Sequence, residues 1–86
     1  MNIQIGPHTL ERAQERGANE EEIKDVINTG FTIQGKYGRI GKAKDYDFKQ
    51  KRHAEYYEQK RVEIFYIKGE DAIITVIVYV FYGKWR

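Results

Sequence analysis

Ile23, Val26 and Ile27 stand at i, i+3 and i+4 in an otherwise polar stretch, the spacing of one apolar helix face. Asn19 supplies the N-cap of this helix, Glu22 three residues on completes a capping-box signature, and Gly30 ends it. A first helix precedes it. Pro7 suits the opening position, where its missing N–H is no loss, and Gly17 is the left-handed terminator. From Phe31 the period changes to that of extended chain. Residues 31–33 predict a short strand, followed by a turn region punctuated by Gly35, Gly38 and Gly41. Residues 45–49 predict a second strand with Tyr46 and Phe48 on one face, and the polar, aromatic stretch 52–59 reads as a connecting loop. Residues 61–67 and 72–82 form the clearest hairpin, joined across Lys68-Gly69-Glu70-Asp71. In the last strand Ile74, Val76, Val78 and Val80 share one face and Ile73, Thr75 and Ile77 the other, which places it in the sheet interior. By the same parity Tyr79 belongs with Thr75 and Ile77, and Tyr82 with the valines. The order ααββββ predicts an α+β fold in one domain, residues 1–86. Two N-terminal helices pack on a twisted antiparallel sheet of about four strands.

Size and charge narrow the setting. A chain of 86 residues buries only roughly 60% of its unfolded surface on folding. With no cysteine and two histidines far apart, neither a disulfide framework nor a metal site is expected, and a reducing cytoplasm is the expected location. No apolar run approaches the roughly 18 residues of a membrane span, and residues 1–7 lack the pattern of a secretion signal. Net charge is only +2, but it is unevenly divided. Residues 1–30 carry three basic against six acidic side chains; residues 31–86 carry twelve against seven. Within 36–53, seven basic residues face only Asp45 and Asp47, a surface suited either to a polyanion or simply to solvent.

One constellation carries chemistry. His8, Arg12 and Arg16 are four residues apart and fall within about 80° of arc on the first helix, with Leu10 and Ala13 pointing the other way. Metal-free RNA cleavage needs a base for the 2′-OH proton, cations for the phosphorane and an acid for the leaving 5′-oxygen. His8, in the first turn, is the candidate base, with Arg12 as the phosphate clamp. The competing reading is a histidine that caps its helix or packs on the sheet. Arg16, at the helix end, also serves the dipole without any ligand. Tyr79 and Tyr82 are the candidate phenols of the last strand. Lys49-Gln50-Lys51-Arg52-His53, with Tyr56 and Tyr57 nearby, interleaves cations and rings as single-strand RNA surfaces do.

His8-x-x-x-Arg12-x-x-x-Arg16-Gly17, the second helix ending in Gly30, the hairpin and the terminal Val78-Tyr79-Val80-Phe81-Tyr82-Gly83-Lys84-Trp85 resemble, over residues 8–85, the small bacterial proteins of domain-of-unknown-function family 4258. That family looks like a branch of the RelE-like toxins, related in proposals to barnase, EndoU and colicin-type nucleases. The resemblance implies a RelE-like fold and a toxin-related RNA-binding protein or metal-independent ribonuclease. It implies RNA as the ligand and a cognate antitoxin as protein partner, and no metal or cofactor is expected. RelE toxins place a cluster of Lys and Arg on the sheet and lack a helix histidine, so their catalytic set does not transfer residue for residue. The candidate catalytic residues are His8, Arg12 and Tyr79, and the candidate RNA-binding residues are Arg16, Lys49, Lys51, Arg52, Arg61 and Lys84. The alternative is a non-catalytic binding or regulatory module on the same fold.

Overall fold

The first helix, α1 (Pro7–Arg16), begins with Pro7 directly after Gly6, which offers no capping side chain. It stops where Gly17 adopts φ +106°, with the Gly17 N–H on Gln14 O and the Ala18 N–H on Ala13 O, a Schellman closure. The second helix, α2 (Glu20–Thr29), opens on a complete capping box between Asn19 and Glu22, with three glutamates in its first turn where the dipole favours them. Ile23, Val26 and Ile27 are its buried face, as their spacing predicts.

The computed structural model describes residues 2–86, and its remaining elements are five strands: β1 (Asn2–Ile5), β2 (Phe31–Ile33), β3 (Ile40–Arg52), β4 (Glu55–Lys68) and β5 (Ala72–Gly83). They form one sheet in the order β1-β5-β4-β3-β2. From β1 at one edge the chain crosses one face as α1 and α2, enters β2 at the far edge, and meanders back until β5 pairs in parallel with β1. Ala13, Ala18, Ile23 and Val26 from the helical side meet Val62, Ile64, Tyr66 and Val78 from the sheet, and this is the core.

The expected sheet of about four antiparallel strands is thus corrected to a five-stranded mixed sheet. β1 carries little sequence signal, because four residues with only Ile3 and Ile5 apolar set up no usable period. β3 and β4 are also far longer than 45–49 and 61–67, and the expected 52–59 loop is mostly strand. The link between them is the two-residue turn His53-Ala54, with φ +51° and +68°. Such hairpin turns normally use Asn-Gly or Asp-Gly, so the sequence carries no turn signal there.

A bulge corrects the parity of β5. Phe65 pairs with Ile77 but Tyr66 with Thr75, so Val76 is an extra residue. Before it, Ile73 and Thr75 face the helices; after it, Val78 and Val80 do. Tyr79 therefore lies with Ile77 and Phe81 on the open face of the sheet, and not with Thr75. The expected interior position of β5 holds only for residues 72–75, which β1 flanks; from Val76 onward β5 is paired by β4 alone among the described residues.

Thr75 is 4% exposed, and its Oγ1 has no hydrogen-bond partner among the described residues. A buried hydroxyl without a partner costs about 1–3 kcal/mol of desolvation. Thr75→Val keeps the β-branched shape and removes the oxygen, so it should raise stability by about 1 kcal/mol, or roughly 4–8 °C in Tm for a domain of this size. A lower Tm in a calorimetric scan would mean that the hydroxyl is satisfied after all.

At the other side of the molecule α2 is tied to β3 through Asp25, which accepts from the Lys44 ammonium and the Tyr46 hydroxyl. Those two hydrogen bonds hold the carboxylate down to about 2, while burial and the bond to Asp25 push the Tyr46 phenol up.

Candidate functional site

The last carbonyls of a helix have no intrahelical donor, and at the end of α1 the sheet supplies them. Arg52 donates to Glu15 O (2.9 Å), the Tyr82 hydroxyl to Arg16 O (2.7 Å) and Lys60 to Gly17 O (2.7 Å). Lys60 also pairs with Glu22 at 2.8 Å. Tyr82 is held edge-on by Phe48, tilted against Tyr57, and covered by the Arg52 guanidinium 4.8 Å above its ring. Burial pushes its phenol up, against the opposing influence of Arg52.

This docking sets α1 against an open edge. β1 covers only residues 72–75 of β5, so from Val76 onward the outer edge of β5 has no strand partner among the described residues. Arg16 reaches round that edge, donating to Val78 O at 2.7 Å with its guanidinium 5.6 Å from the centre of the Tyr79 ring. Between helix and edge lies a cavity of about 210 Å³, lined by Thr9, Arg12 and Arg16 from α1 and residues 76–79 from β5. Arg12 is exposed and has no carboxylate within ion-pair distance among the described residues. Tyr79 is 39% exposed.

The structure therefore brings Arg12, Arg16 and Tyr79 together. His8 is exposed and lies outside the lining. At 100° per residue Thr9, Arg12 and Arg16 span about 60° of the helix, and His8 sits about 40° beyond Arg12, at the rim. Arg61 stands on the open face of the sheet but is spent on Asp45, bonded through both Nε and Nη2, and sandwiched between Phe31 (5.3 Å) and Trp85 (4.9 Å). That carboxylate pushes the guanidinium further up. Lys49 and Lys51 are exposed near the far end of the β3–β4 hairpin, where Arg52 is engaged with α1. Lys84 lines a separate cavity with Asp47, Glu58, Gln59 and Arg86. His53 occupies the hairpin turn.

The open face of the sheet is aromatic, a feature absent from the sequence expectations. Phe65 packs edge-on against Tyr79 (6.1 Å between centroids), Phe81 lies beside it, and Glu63 is its cross-strand partner. The signal was the alternation of Arg61, Glu63 and Phe65 with the buried Val62, Ile64 and Tyr66. No three His, Asp or Glu side chains among the described residues are grouped to hold a metal ion, and no helix is long and apolar enough to cross a membrane.

A family profile described as Domain of unknown function (DUF4258) matches residues 5–82. No curated protein and no solved structure matches with significance.

Proposed function

We propose, for a chain that belongs to the DUF4258 family, RNA binding of the RelE-like type at the cleft between α1 and the open edge of β5, with metal-independent cleavage at the same place. The observation that carries this reading is the pair of guanidiniums, Arg12 and Arg16, on one wall of a cavity whose other wall bears Tyr79. Arg16 spends one N–H on Val78 O and keeps the rest of its fork; Arg12 has no side-chain partner among the described residues, which leaves its donors to a phosphate. His8, one helical turn before Arg12, is open to solvent at the rim. In the step we assign, His8 takes the 2′-OH proton, the 2′-oxygen bonds to phosphorus, and the P–O5′ bond breaks with its oxygen receiving a proton from the Tyr79 hydroxyl. The products are a 2′,3′-cyclic phosphate and a 5′-hydroxyl. A toxin role and a cognate antitoxin are supported by the resemblance to RelE-like toxins alone, and a cytoplasmic location by the cysteine-free sequence alone.

A second reading, a binding module without catalysis, is favoured by one specific fact: the imidazole is outside the cavity that the other three residues share. Incubating the purified protein with total RNA in EDTA, followed by end-group analysis, separates the two. Fragments ending in cyclic or 3′-phosphate support cleavage, and retention of intact RNA supports the binding module. Fragments with 3′-hydroxyl ends, or activity abolished by the chelator, count against the mechanism.

A further inference from the structure

A second cavity, of about 200 Å³, opens on the sheet face away from the helices. Its floor is Phe65, Ile77 and Tyr79, and its rim is Lys36, Tyr37 and Arg39 from the loop between β2 and β3. Ile77 and Tyr79 also wall the Arg12–Arg16 cleft, so the two cavities adjoin across β5. Neither Lys36 nor Arg39 has a carboxylate within ion-pair distance among the described residues.

Tyr37 is the unusual member. Its side chain is 90% exposed and its backbone φ is +58°, beside Gly38 at +75°, in a turn closed by the Arg39 N–H on Lys36 O at 3.1 Å. Bulky residues rarely adopt that conformation, and glycine, asparagine or aspartate would occupy it with less strain. The ring gains almost no packing in return. Strain without an internal reward points to something outside the fold.

We infer that this cavity takes a nucleobase of single-stranded RNA, packed on the aromatic floor and covered by the Tyr37 ring. The neighbouring phosphates lie beside Lys36 and Arg39 on one side and Arg12 on the other. The inference rests on the RNA-binding reading above. It adds that affinity comes from a base face as well as from phosphate charge. An apolar floor with an uncompensated cationic rim matches a ring attached to an anionic backbone, and stacking needs no particular base sequence.

The test is fluorescence-anisotropy titration of a labelled hexaribonucleotide, and of the same ribose-phosphate chain without bases, against wild type and Tyr37→Asn. Asparagine tolerates the left-handed backbone, so the variant should fold at least as well, with an unchanged or higher Tm. Its affinity for the intact hexamer should fall about 5- to 150-fold, the range for losing one base–aromatic stack. The abasic chain should bind both proteins equally. Equal affinity of the two proteins for the intact hexamer, or the same loss on the abasic chain, overturns the stacking site while leaving RNA binding in place. If wild type binds neither oligomer at low salt, the RNA reading fails and the site falls with it.

Discussion

Gly17→Ala should destabilise the fold by about 2–3 kcal/mol, a large share of the 5–15 kcal/mol that holds a typical domain together. Two costs combine. At φ +106° a side chain meets the left-handed penalty of about 1–2 kcal/mol. In addition, a Cβ built there would come to 2.0 Å from the Tyr82 Oη, so the phenol must leave Arg16 O, a hydrogen bond contributing about 1 kcal/mol. Tyr82→Phe alone should lose about that hydrogen bond and keep the ring stacked with Phe48, Tyr57 and Arg52. The two changes should be strongly non-additive. Without the hydroxyl the nearest ring carbon is 3.4 Å from the new Cβ, ordinary contact, and only the backbone penalty remains. Urea midpoints of the two single variants and the double variant measure the coupling. Simple additivity would show that Tyr82 and Gly17 do not meet as described, and that α1 is positioned by something else.

That contact shows why the elements were easier to read than their assembly. The caps of α2, its three-residue apolar stripe and the glycine after α1 are local devices, written within a few positions of where they act. β3 was under-read because Gly41, Lys42, Asp45, Asp47 and Lys49 have little intrinsic strand preference; it is extended because β4 pairs with it along nearly its whole length. Two non-glycine residues at positive φ make the His53-Ala54 turn, and a single extra residue at Val76 reverses the face of everything after it. Neither leaves a compositional mark.

The candidate site divides along the same line. Helical spacing put Arg12 and Arg16 on one face. Which cations are already spent depended on partners far away in the chain. Arg61 meets Asp45 sixteen residues off, and Arg52 meets the carbonyl of Glu15 thirty-seven residues off. A run of seven basic residues therefore overstated the charge that the 36–53 segment can offer a polyanion. Among the described residues, the cations without a hydrogen-bond or ion-pair partner for the side chain beside the two cavities that adjoin across β5 are Arg12, Lys36 and Arg39, from two separate parts of the chain.

His8→Gln removes the titrating ring and keeps a polar side chain at an exposed position, so folding should be unaffected. If His8 is the general base, cleavage should fall by about 10²–10⁴-fold, the usual range for such groups, with RNA affinity unchanged. Arg12→Gln should damage both affinity and rate, because a phosphate clamp acts in the ground state and in the transition state. Arg16→Gln should behave differently from either. It gives up a charge-assisted bond to Val78 O, so about 1.5–3 kcal/mol of stability should go with it, in addition to the RNA affinity that its remaining N–H groups supply. Single-turnover rates, binding constants and urea midpoints measured on all three variants keep these effects apart. Loss of affinity in Arg12→Gln with wild-type rates in His8→Gln would leave a cleft that holds RNA but takes its proton elsewhere. The Glu63 carboxylate, cross-strand from Tyr79 on the open face, would then be the next group to replace.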